Sequence, residues 1–149
     1  MVQNLRKTLS LDPSQPEVWL RLGEGCAKLG KTLDAVQAYE AALRLIPDLP
    51  LALSSLAIIY SSSKDPGIKD PDKAIDLAER ACRLNNYKSA RFLLTLGTVY
   101  AEKGRIEDGL KTLKTALERA ESQKNEALSR EIGGKIKAYE KKKTEQSRK

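Results

Sequence analysis

Apolar residues recur at three- and four-residue spacing from one end of the chain to the other, the period of an amphipathic helix. No segment sustains the alternation of a half-buried strand. The pattern predicts helices over 2–11, 16–29, 32–46, 50–63, 71–84, 89–102, 106–120 and 124–142. Punctuation supports these bounds. Pro16 and Pro50 fall where a first helical turn tolerates proline. Gly30 and Gly104 fall between paired helices, where a helix end wants a left-handed residue. Asp70-Pro71 reads as an N-cap followed by a first-turn proline.

The helices repeat. Shifted by 34, Trp19, Leu22, Gly23 and Cys26 fall on Leu53, Leu56, Ala57 and Tyr60. A further shift by 40 gives Leu93, Leu96, Gly97 and Tyr100. A second segment follows each copy: Ala35, Tyr39, Ala42 and Leu43 match Ala74, Ala78, Ala81 and Cys82, then Gly109, Leu113, Ala116 and Leu117. Recurrence at this period is the mark of a stacked helical repeat.

Residues 19–47 carry Trp19, Leu22, Gly23, Cys26, Gly30, Ala35, Tyr39, Ala42 and Pro47. This set resembles the tetratricopeptide repeat, with Cys26 standing where an aromatic is usual. The resemblance covers about residues 1–123. It implies an all-α fold, a right-handed α-solenoid of helix-turn-helix repeats with a C-terminal capping helix. The expected organisation is 1–13 as the second helix of a truncated repeat, repeats at 16–49, 50–88 and 90–123, a cap at 124–142 and a basic tail at 143–149. A half repeat at the start points to a chain cut from a longer array. The second repeat inserts five residues within Ser63–Asp70 and has Asn86 where proline is usual. The third has Gly109 for the small alanine and Glu121 for the proline. Residues 56–120 more loosely resemble the C-terminal repeats of large bacterial multidomain proteins, some of which carry membrane glycosyltransferase domains.

The resemblance also implies a concave face lined by the first helix of each pair. That face takes Glu17, Leu20, Arg21, Glu24, Ala27 and Lys28 from the first repeat. The second gives Leu51, Ser54, Ser55, Ile58, Ser61 and Ser62. The third gives Arg91, Leu94, Thr95, Thr98, Ala101 and Glu102. Of these, Leu20, Arg21, Glu24, Ser54, Ser55, Ile58, Arg91, Leu94, Thr95 and Thr98 are the candidate groove residues. Apolar anchors among small hydroxyl side chains suit a peptide or helical segment. Family members that grip a chaperone's C-terminal carboxylate use Lys and Asn at matching positions. Here those positions hold Leu20, Glu24, Ser55, Arg91 and Thr95, which argues against capture of such a tail.

Composition narrows the remaining chemistry. The 149 residues contain no histidine, which removes Ser–His–Asp and Cys–His nucleophilic machinery and His-containing metal sites. Two cysteines cannot make a four-thiolate site or a disulfide framework. Cys26 and Cys82 fall on apolar positions in different layers, are not expected to pair, and mildly favour a reducing intracellular compartment. No phosphate-cradling glycine motif occurs. The acid pairs Asp70/Asp72 and Glu107/Asp108 sit at helix starts, where they offset the macrodipole. No cofactor, metal or enzymatic activity is expected. The expected function is a non-catalytic protein–protein interaction scaffold, a module of a larger protein.

The net charge of +7 is uneven. Residues 124–149 hold nine basic and four acidic side chains, whereas the rest is close to neutral. Leu128, Ile132, Ile136 and Tyr139 form one stripe, which reads as a cap over the last repeat, weakened by Gly133-Gly134. Beyond it, Lys141-Lys142-Lys143 and Arg148-Lys149 are expected to be a solvated, frayed terminus. The alternative function is contact with nucleic acid or an anionic membrane surface through this tail.

Overall fold

A computed structural model describes residues 1–149 as eight helices and no strands. They are α1 (Val2–Leu11), α2 (Pro16–Lys28), α3 (Thr32–Leu45), α4 (Pro50–Ser62), α5 (Pro71–Leu84), α6 (Ala90–Glu102), α7 (Ile106–Ser122) and α8 (Glu126–Ser147). Pro16, Pro50 and Pro71 each open a helix, where the missing N–H is no loss. Asp70, Ser89 and Asn125 cap the next helices by accepting from the backbone N–H of Lys73, Phe92 and Leu128.

Helices α2 and α3, α4 and α5, and α6 and α7 form three antiparallel pairs stacked in order, with α1 against α2 and α8 against α7. The result is an α-solenoid. One continuous core runs through it, with Cys26, Leu56, Cys82, Val99, Leu113 and Ile132 fully enclosed. Each enclosed leucine or isoleucine contributes about 1.5–3 kcal/mol.

Small residues set how closely each pair packs. A side chain at Gly109 would meet the Gly97 carbonyl oxygen at 2.7 Å, and one at Gly97 would meet Leu113 at 2.7 Å. The glycine in place of the usual alanine in the third repeat therefore fits the tight crossing of α6 and α7.

Four helix ends use the same hydrogen-bond closure. Lys31, Tyr87, Arg105 and Asn125 donate their backbone N–H to the carbonyls of Cys26, Cys82, Tyr100 and Ala120 at 2.9 Å. The closure needs a left-handed residue just before the donor. Gly30 (φ 73°) and Gly104 (φ 97°) supply it as the sequence implied. Asn86 (φ 56°) and Lys124 (φ 56°) do the same work without being glycine.

Tyrosines link successive repeats. Tyr60 on α4 donates its hydroxyl to Glu40 on α3 at 2.8 Å, and Tyr100 on α6 donates to Glu79 on α5 at 2.6 Å. A cation covers each ring at 4.5 Å, Lys73 on Tyr60 and Arg105 on Tyr100.

The C-terminal expectation needs correction. The cap is not confined to 124–142 and residues 143–149 are not a frayed coil: α8 continues to Ser147. Leu128, Ile132, Ile136 and Tyr139 are buried as expected. Beyond them, Glu140 pairs with Lys114 at 3.7 Å and Lys143 with Glu107 at 3.1 Å, two ion pairs that join this stretch to α7. No helix is long and apolar enough to cross a membrane.

Candidate functional site on the concave face

The curvature follows from which helices touch. Helix α4 packs on α6 and α6 on α8, whereas α3, α5 and α7 show no comparable contact with one another. The first helices therefore lie on the inside of the bend and the second helices on the outside. This places the sequence-derived groove residues on the concave side, though not all of them on its surface.

Ser54, Leu94 and Thr95 are buried. The Ser54 hydroxyl donates to that of Thr95 at 3.0 Å, and Thr95 donates to the Arg91 carbonyl at 3.3 Å. These residues close the contact between α4 and α6 rather than facing a ligand. Repeat register identifies the concave side of a helix, but neighbouring first helices press so closely that part of that side becomes interior. Removing the Thr95 hydroxyl would leave that of Ser54 buried without a partner, at about 1–3 kcal/mol.

Arg91, the one cationic groove candidate of the third repeat, is not free. It is committed instead to Glu131 on α8 at 3.1 Å, a pairing between the last repeat and the cap. Glu102 is likewise engaged, accepting from the Tyr139 hydroxyl at 2.6 Å.

The accessible part of the face is narrower. Ile58 and Leu51 are about half exposed, at 49% and 51%. Arg21 and Glu24 are exposed, while Leu20, Ser55 and Thr98 are half-buried. The Thr98 hydroxyl donates to the Leu94 carbonyl at 2.8 Å and that of Ser62 to Ile58 at 2.8 Å, which leaves their oxygens as acceptors. Between α2 and α4 the Tyr39 hydroxyl faces Ser55, and burial raises its pKa above the ordinary value.

A concavity of about 310 Å³ lies where α4, α6 and α8 meet the insertion. Ile58, Ser61, Ser62, Thr98, Val99 and Glu102 line it, together with Lys69 and Lys135. Register missed both lysines, because Lys69 belongs to the insertion and Lys135 to the cap, outside the aligned repeats. The insertion is ordered. Gly67 N–H donates to Asp65 Oδ1 at 2.8 Å, Lys69 N–H to the Asp65 carbonyl at 2.8 Å, and Asp70 N–H to the Tyr60 carbonyl at 2.9 Å. Ile68 packs against the core beside it.

The acid pairs are structural. Asp70 caps α5, Asp72 pairs with Lys103 at 3.1 Å, Asp108 with Arg105 at 2.9 Å, and Glu107 with Lys143. Cys26 and Cys82 are both free and buried. Desolvation pushes the Cys82 thiol up to about 12. No group of three His, Cys, Asp or Glu side chains is placed to hold a metal ion. Trp19 packs against the core and donates its indole N–H to the Pro13 carbonyl at 2.8 Å, tying the α1–α2 turn rather than offering an anchor to a ligand.

Comparison with known proteins agrees with this architecture. Residues 16–49 match one family model and residues 69–125 another, both described as "Tetratricopeptide repeat", and together they span more than half of the chain. No curated protein matches the chain in sequence. A solved structure of a MamA protein superposes with a TM-score of 0.68 at 25% identity, covering 84% of this chain and 66% of that one. The Sgt2 TPR domain from Aspergillus fumigatus gives 0.71 at 19% identity, covering 90% and 82%. The Yersinia enterocolitica type III secretion translocator chaperone SycD gives 0.71 at 20% identity, covering 86% and 93%.

Proposed function

The chain belongs to the tetratricopeptide-repeat family, and we propose that it is a non-catalytic interaction module holding a peptide or helical segment of a partner protein on its concave face. The observation that carries this reading is the exposed apolar residues Leu51 and Ile58 on one side of α4, inside the bend, with Ser55 and Ser62 on the same helix and Thr98 in the same concavity as Ile58. Covering such side chains with a partner's apolar groups is favourable at about 25 cal/mol per Å². The hydroxyl oxygens beside them offer acceptors to a partner's N–H groups. Engagement of every acid pair in caps and ion pairs supports a binding rather than a catalytic role. Among the structural neighbours, the translocator chaperone is by its name a protein that attends another protein, which accords with this reading.

The test begins with peptides selected by the wild-type protein from a random display library. Arg21→Glu with Ile58→Glu should weaken the selected peptides at least about tenfold, the scale of a lost hot spot. Arg44→Glu with Glu118→Lys, on exposed positions of the second helices, should leave Kd unchanged. Loss of binding in the second pair with retention in the first would place the partner on the convex side and overturn the proposal.

A further inference from the structure

Resting on the concave-face reading, we infer that the bound segment carries a carboxylate side chain beside an apolar one, and that Lys69 and Lys135 receive the carboxylate. Both lysines border the 310 Å³ concavity between α4, α6 and α8, with exposed Ile58 in the same lining. Neither is in an ion pair, although nine other basic side chains of the chain are. The one acid in the lining, Glu102, already accepts from Tyr139. Two ammonium groups against one engaged carboxylate leave an uncompensated positive charge beside an apolar surface.

The two lysines stand on firm supports. The Lys69 backbone donates to Asp65, the next residue donates to Tyr60, and Ile68 anchors the turn from the other side. Lys135 lies on α8 one turn beyond Glu131, whose bond to Arg91 fixes that flank of the helix against α6. Lys142 continues the same flank two turns further on. With the backbone pinned, only the lysine side chains lose freedom on meeting an anion.

Elsewhere the face is less suited to an acid. Arg91 is spent on Glu131, and Arg21 is spaced between Glu17 and Glu24 on its own helix. The charge thus gives the segment a direction, with its acidic position toward the cap. It also assigns the five-residue insertion a part in binding, at a location distinct from the repeat positions that chaperone-tail receptors use.

An array of short random peptides, each printed with a central Leu-x-Asp and again with Leu-x-Asn, tests this. Wild-type protein should favour the Asp version by about tenfold, as expected for charge-assisted contacts. The preference should shrink as salt rises. Lys69→Gln with Lys135→Gln should bring the two versions to parity with the melting curve unchanged. Arg130→Gln with Lys137→Gln, on the other side of α8, should keep the preference. Binding without an Asp preference, or a preference that survives the Lys69/Lys135 variant, overturns this inference and leaves the concave-face reading standing. Failure of both versions to bind overturns both. Lysine-dependent binding to phosphatidylserine-containing vesicles with no bound peptide would make the site a membrane contact, and the inference would fall.

Discussion

The hydroxyl of Tyr100 lies 2.6 Å from the Glu79 carboxylate, across the boundary between the second and third repeats. Burial, and then this hydrogen bond, hold the phenol in its neutral form and raise its pKa. Tyr60 and Tyr139 are raised for the same two reasons.

These phenols predict the pH profile. An unfolded tyrosine ionises near pH 10. The folded tyrosines keep their protons beyond that, so above about pH 10 the unfolded state binds fewer protons and stability falls as pH rises. Below pH 10 the tyrosine contribution is fully present. Urea midpoints at pH 8, 10 and 11 should show a drop confined to the upper interval. Tyr100→Phe should make the drop shallower, with Tyr60 and Tyr139 supplying the rest, and an unchanged slope in that variant would detach the effect from this bond.

The α6–α7 crossing admits no side chain at Gly109. Gly109→Ala brings a methyl to within 2.7 Å of backbone oxygen, which cannot rotate away. Destabilisation of about 1–3 kcal/mol is expected. Ala42→Leu, at a fully enclosed position of α3, should cost a similar amount. Denaturant midpoints equal to wild type would mean that the helix pairs are looser than described.

Three positions should gain stability. Lys124 is exposed and left-handed, so Lys124→Gly removes a backbone penalty of about 1 kcal/mol. Gly133 and Gly134 lie inside α8 with open space where a side chain would go. Gly133→Ala and Gly134→Ala should each add about 1 kcal/mol. Thermal melts decide, and a lower melting temperature for the alanine variants would reveal a close approach at that surface.

Thiol chemistry should be silent in the folded state. Cys82 is enclosed and its pKa is pushed up to about 12, so almost no thiolate exists near neutrality. Cys26 is equally enclosed. Ellman's reagent should titrate both thiols only as fast as the chain unfolds. Immediate reaction of either in native buffer would contradict the packing.

The eight helices were legible because a 3.6-residue period, three helix-opening prolines and two left-handed glycines all point the same way. Their ends moved by a few residues where local contacts decide. Helix α8 runs on through a basic stretch that composition alone reads as a frayed tail, with Lys143 paired to Glu107 along it. The site was legible only in part. Register gives the phase of Ser54, Leu94 and Thr95 on their helices, but burial depends on how near the next first helix comes. The partner of Arg91 is 40 residues away on a helix outside the repeat pattern. Lys69 and Lys135 carry no repeat signature, so only the folded chain brings them to one concavity.

Amide hydrogen exchange, with and without a peptide selected by the wild-type protein, tests the central claim most directly. Added protection should concentrate in α2, α4 and α6 and in the turn at 63–70, with α3, α5 and α7 unchanged. Protection centred on α3, α5 or α7 would put the partner on the outer surface and contradict the account.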